Sequence, residues 1–133
     1  MKTHPVRLIH LTIERDWREV YALAADPATM PRWAEGLSAT MRRDGEVYVA
    51  DGGPIGAIRI RFAPENPYGV IDHDVTFEDG RRFYNALRVQ QNGDGAEAIF
   101  TLLRMPGTSD EEFDRDTQAV AADLKRLKAL CES

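Results

Sequence analysis

The chain has 133 residues, a mass of 15.0 kDa, a formal net charge of −5 and a pI near 5.2, a length that fits one domain over residues 1–133 built on a single core. Its basic residues fall in short groups (Arg42-Arg43, Arg81-Arg82, Lys125-Arg126) and form no continuous stripe able to track phosphates, which argues against nucleic-acid binding. The lone Cys131 excludes an intrachain disulfide, charges interrupt MKTHPVRLIHLTIERD too early for a signal peptide, and no stretch approaches the roughly 18 apolar residues of a membrane span, so a soluble, cytoplasmic chain is expected.

Segment Arg7 to Ile13 alternates, with Ile9, Leu11 and Ile13 on one side, and reads as a first strand. A helix start follows. Asp16 with Glu19 three residues on has the spacing of a capping box, and Trp17, Val20, Tyr21 and Ala24 then recur at helical spacing until Asp26-Pro27 stops them. In TMPRWAEGL a second short helix is expected, with Thr29 as cap, Pro31 in the first turn and Gly36 in the left-handed position past the end.

From Ser38 to Met105 the period becomes two, punctuated by turn residues at Asp44-Gly45, Asp51 to Gly53, Pro64 to Gly69, Asp79-Gly80 and Asn92 to Gly95. About six strands are predicted here, joined as consecutive antiparallel hairpins. The chain closes with SDEEFDRDTQAVAADLKRLKALCES, where Ser109 and Glu112 form a capping box and acidic residues occupy the first turns favoured by the helix dipole. Phe113, Thr117, Val120, Leu124, Leu127 and Cys131 form one stripe on a long amphipathic helix, and a single long apolar stripe needs a sheet to lie on.

This order, together with VYALAADPATMPRWAEGL, VIDHDVTFEDG, LRVQQNGDGAEAIFTLLR and DEEFDRDTQAVAADLKRLKALCE, resembles the START/Bet v 1-like (SRPBCC) superfamily, specifically the bacterial polyketide cyclase/dehydrase-like proteins. The resemblance covers nearly the whole chain and rests on the combination of segments rather than on one motif. It implies an α+β helix-grip fold: a curved seven-stranded antiparallel sheet wrapped around the long C-terminal helix, with two short helices between strands one and two. It also implies a pocket between sheet and helix for an apolar small molecule. Carriers, cyclases, hydrolases and co-chaperone modules share that fold, so the fold alone does not settle activity.

The stretch VIDHDVTF places a histidine between two aspartates, but alternation puts His73 on the face opposite Asp72 and Asp74. Ile71, His73, Val75 and Phe77 make the more apolar face and are assigned inward. A Glu78-Asp79-Gly80 loop, with glycine in the left-handed bulge position, sets Val75 opposite Phe83, His73 opposite Asn85 and Ile71 opposite Leu87. On the preceding strand, Arg59 is expected opposite Asp74, Ile60 opposite His73 and Arg61 opposite Asp72, so that the aspartates have outward ion-pair partners. On the following strand Ala98, Phe100, Leu102 and Arg104 face inward, with Leu102 near Asn85.

The expected ligand-binding set is Trp33, Ile60, His73, Asn85, Leu87, Phe100, Leu102, Arg104, Phe113 and Val120. His73 and Asn85 either satisfy each other as a purely structural pair or orient the polar end of a ligand in an apolar pocket. Trp33 is either an ordinary core residue or part of the rim where the family resemblance places the pocket. Arg104 reads as a salt-bridged rim arginine or a ligand contact. His73 is also the candidate catalytic residue of an alternative reading, a cyclase or dehydratase that transfers a proton through it. A third reading is a protein-interaction module without ligand. The dispersed His4, His10, His73 and Cys131 give no metal-ligand spacing, and neither a metal nor a cofactor is expected. Exposed sheet edges leave a homodimer open.

Overall fold

The computed structural model describes residues 1–34 and 41–133. Gly36 and the expected strand start at Ser38 lie outside them. The elements are β1 (Val6–Ile13), α1 (Trp17–Ala24), β2 (Arg42–Asp44), β3 (Val47–Asp51), β4 (Ala57–Phe62), β5 (His73–Phe77), β6 (Arg82–Asn92), β7 (Gly95–Leu103) and α2 (Asp110–Glu132). The strands form a seven-stranded antiparallel sheet in the order β1-β7-β6-β5-β4-β3-β2, each hairpin neighbouring the next and β1 closing against β7.

Local chemistry sets the helix ends with two departures from expectation. Asp16 caps α1, but its carboxylate accepts from the Arg18 amide (2.9 Å), while the Glu19 carboxylate turns to Arg15 (3.0 Å) instead of closing the box. The second helix is only a 3-10 turn at Met30–Arg32, and Thr29 does not cap it. Its hydroxyl donates backward to the Leu23 (2.5 Å) and Asp26 (3.0 Å) carbonyls, because the groups left open at the end of α1 are nearer acceptors. At α2 the Ser109 hydroxyl accepts from the Glu112 amide and donates to the Glu112 carboxylate, both at 3.1 Å, as the capping-box spacing requires.

The β5–β6 register is the predicted one: His73 pairs with Asn85 and Val75 with Phe83, and the Ile71 amide donates to Leu87 at 2.8 Å. The β4–β5 register is two residues away from expectation, with Arg59 opposite Thr76, Arg61 opposite Asp74, Ile60 opposite Val75 and Phe62 opposite His73. An even shift keeps every side chain on its face but changes the ion pairs. Asp74 pairs with Arg82 (3.0 Å), Arg59 with Asp44 (3.4 Å) and Arg61 with Glu46 (3.0 Å). Asp72 is only 3% exposed, held by Arg88 (2.9 Å) and the Tyr84 hydroxyl (2.5 Å).

The cause lies in the β4–β5 connection. The Asn66 side chain donates to the Pro64 and Val70 carbonyls (each 2.9 Å) and accepts from the Tyr68 (3.0 Å) and Val70 (3.1 Å) amides, folding the loop on itself. The Tyr21 hydroxyl of α1 accepts from the Asn66 amide at 3.1 Å and fixes the loop to the helix. Gly69 lies against β6 with φ of 73°, where a Cβ would come within 1.9 Å of the Val89 carbonyl oxygen.

The main core gathers at one end of the sheet, where Ile13, Val89, Ala96 and Ala98 receive Leu124, Leu127 and Cys131 of α2, with Val20 and Ala24 of α1 alongside. Alanines on β7 let the helix approach closely here. The middle turns of α2 instead face the larger Phe100 and Leu102. A Gly69→Ala substitution, combining positive φ with a backbone clash, is expected to destabilise the protein by about 2 kcal/mol or more. Urea unfolding would show it as a lower midpoint at an unchanged m-value.

Candidate functional site

Between the sheet and the middle turns of α2 lies a cavity of about 420 Å³. The sheet contributes Ile58 and Ile60 from β4, His73, Val75 and Phe77 from β5, Phe83, Asn85 and Leu87 from β6, and Phe100 and Leu102 from β7. Helix α2 contributes Asp116, Ala119, Val120, Asp123 and Leu124, and the segment after α1 adds Met30, Trp33 and Ala34. Period-two alternation explains the sheet wall, since each strand sends every second residue to the concave face. Phe77 and Phe83 meet edge to face at 5.4 Å, and Phe62 lies beside the His73 ring at 5.4 Å.

Eight of the ten expected ligand-binding residues line this space: Trp33, Ile60, His73, Asn85, Leu87, Phe100, Leu102 and Val120. Arg104 and Phe113 do not. The Arg104 guanidinium donates to the Thr108 carbonyl (2.8 and 3.0 Å) and pairs with Asp110 (2.6 Å), which ties it to the loop entering α2. Phe113 is buried beneath two arginines, with the Arg7 guanidinium 4.1 Å and that of Arg104 5.7 Å from its ring centre. Asp116 and Asp123 were missed by an apolar-stripe reading, although Asp116 stands one turn before Val120 and Asp123 one turn after it. Helical spacing from a known lining residue is the signal that reveals them.

The protonation of His73 follows from its partners. Its Nδ1 lies 3.0 Å from the Ile71 carbonyl, which can only accept, so Nδ1 carries the proton. Nε2 then carries the lone pair, to which the Asn85 amide donates at 3.4 Å. Burial lowers the imidazole pKa, while the Ile71 carbonyl and the charges of Asp72 and Asp74 pull it partly back, leaving it below the ordinary value. Across the cavity the Asp116 carboxyl is raised, by burial and then by Glu112. Asp123 is paired with Arg126, whose Nε also donates to the Trp33 carbonyl at 3.0 Å. The Trp33 indole N–H is fully buried and has no hydrogen-bond partner among the described residues.

Among the described residues, no cluster of three or more His, Cys, Asp or Glu side chains is placed to hold a metal, and no helix is long and apolar enough to cross a membrane. Cys131 is buried in the core, where desolvation raises its thiol pKa.

Several solved structures share this architecture. DynU16, from the dynemicin biosynthetic locus, superposes with a TM-score of 0.73 at 17% identity, covering 96% of this chain and 47% of DynU16. This chain thus spans about half the length of that protein. CalU16 from Micromonospora echinospora matches with a TM-score of 0.68 at 16% identity over 94% of this chain and 73% of its own, and Ara h 8.0201 with 0.67 at 9% identity over 96% and 97%. No protein-family model and no curated protein sequence matches the chain. The chain therefore has the START/Bet v 1-like helix-grip fold, as its sequence resemblance implied, shared with these structures at identities of 9–17%.

The neutral His73 has a consequence for stability. Because its folded pKa lies below the unfolded value of 6.5, the unfolded chain takes up the proton first as pH falls. Stability is expected to decline from about pH 6.5 down to the folded pKa and then level off, and His73→Asn should remove that slope. Nitrogen-edited NMR of the imidazole, which separates the two tautomers, would check the Nδ1–H form directly.

Proposed function

We propose that residues 1–133 act as one START/Bet v 1-like domain that binds an apolar or aromatic small molecule, polyketide-like or lipid-like, in the cavity between the sheet and α2. The observation that carries this reading is an apolar cavity of about 420 Å³ with a few polar groups set into its walls, the composition by which small-molecule sites combine affinity with orientation. Trp33, Ile60, His73, Asn85, Leu87, Phe100, Leu102 and Val120 are the proposed contacts. Binding is favoured over proton transfer because both His73 nitrogens already have protein partners, and a general base needs its lone pair aimed at substrate.

Native mass spectrometry of freshly purified protein is expected to show a retained small molecule. Ala119 lines the cavity on its helix wall, so Ala119→Trp should fill the space and lower affinity for the neutral dye Nile red by about tenfold or more. Thermal unfolding of the same variant controls for loss of fold. Dye binding that survives the substitution intact would place the ligand elsewhere and favour an interaction module.

A further inference from the structure

Asn85 is a polar side chain of the cavity wall that is only half committed to the protein. It stands in the middle of the sheet on β6, paired with His73 of β5, and lines the cavity on the concave face. Among the described residues its amide makes one hydrogen bond, from Nδ2 to His73 Nε2 at 3.4 Å, and its carbonyl oxygen accepts none. That oxygen is not sealed in. The unpartnered side-chain polar atoms wholly closed off are the Trp17 and Trp33 indole nitrogens, so the Asn85 oxygen keeps open surface, and the open space on its face of the sheet is the cavity.

The orientation of this amide is decided two steps away. The Ile71 carbonyl, 3.0 Å from His73 Nδ1, can only accept, so the ring proton sits on Nδ1 and Nε2 is left as an acceptor. An acceptor requires a donor, so Asn85 turns its nitrogen to the ring and its oxygen away from it. The opposite amide orientation would set two acceptors against each other. A backbone carbonyl thus decides, through the histidine tautomer, that Asn85 offers the cavity an acceptor. An acceptor with no protein donor favours a ligand that brings a hydrogen to it.

We propose that Asn85 is the specificity-determining residue of the cavity: its carbonyl oxygen takes the hydrogen of a hydroxyl on an aromatic ligand, a phenol or an enol, and His73 is the positioning residue that fixes this polarity. The assignment rests on the binding reading above and narrows it to ligands that carry a hydrogen-bond donor. His73 itself touches no ligand hydrogen, since both of its nitrogens are taken.

Naphthol, its methyl ether and methylnaphthalene share one two-ring body and are uncharged at neutral pH, but only naphthol carries a hydroxyl hydrogen. A hydroxyl buried without an acceptor is costly, so in a wall lacking this contact naphthol would bind more weakly than its ether. Titrated into the intact protein, naphthol is instead expected to bind about tenfold more tightly than either analogue. It should also move the Asn85 carbonyl carbon resonance downfield, as a carbonyl does on accepting a hydrogen bond, while the ether leaves it in place. In His73→Leu the amide is released to present either end, and the ratio of naphthol to ether affinity should fall to about threefold or less. In the double variant His73→Leu/Asn85→Leu the ether should bind at least as well as naphthol, with thermal unfolding as the check on fold. An ether as tight as naphthol in the unaltered protein, or an Asn85 carbon that ignores naphthol, would overturn the assignment while leaving the cavity a binding site. A naphthol preference surviving the double substitution would overturn it too, moving the contact to another acceptor of the wall such as Asp116. A preference unchanged in His73→Leu would strip His73 of its positioning role. Failure of all three compounds to bind would remove the binding reading itself.

Discussion

The structure depends on how α2 is fastened along β1. Arg7 bonds Asp114 (2.7 Å) and the Thr117 hydroxyl (2.9 Å) near the start of the helix. At its end Lys128 donates to the Thr12 carbonyl, Arg15 to the Cys131 carbonyl, and the Glu14 amide to Glu132, each at 2.8 Å. These bonds run to an edge strand and the turn that follows it, so the helix axis is tied to one side of the curved sheet. The final turns then settle onto the alanines of β7, while the earlier turns remain apart from β4, β5 and β6. The cavity follows from that fastening, since a close-packed interior leaves so large a space only where the framework holds its walls apart.

The outer side of the sheet does corresponding work. Buried Asp72 would be costly alone; burial raises its pKa, but Arg88, Tyr84 and the Leu87 amide together bring the pKa below the ordinary value. This cluster braces the strand entry just before His73. With the Asn66 loop and the close approach of Gly69 to Val89, it sets where β5 begins. His73 therefore meets Phe62 on one side and Asn85 on the other, and its ring is held by the Ile71 carbonyl. The concave polar pair and the convex ion cluster are two faces of one short strand.

Helical positions 116, 120 and 123 show how a small chain can place charge inside an apolar site. Val120 faces the cavity, and the aspartates a turn to either side share its exposure to that space. The same helix spends its nearby arginine on one of them. The lining thus includes two aspartates, one of them paired with Arg126, and no lysine or arginine among the described residues.

Much of the fold was legible because it rests on local chemistry. The turns at Asp44-Gly45, Asp79-Gly80 and Asn92 to Gly95, the alternation between them and the Ser109 cap define the strands and the long helix without reference to anything distant. The β5–β6 register was legible for the same reason, a short loop with glycine at the bulge. The β4–β5 register was not, because a longer connection leaves several even shifts that keep the same faces, and only the contacts of Asn66, Tyr21 and Gly69 choose among them. Arg104, just past the end of β7, and Phe113, on the helix stripe, do not line the cavity: the one pairs with Asp110 and the other lies beneath Arg7. Period and turn chemistry, which act within a few residues, thus determined the elements and the inward face of His73. The distance between α2 and the sheet, and with it the cavity and its charge, was decided by contacts between residues more than a hundred positions apart in the chain.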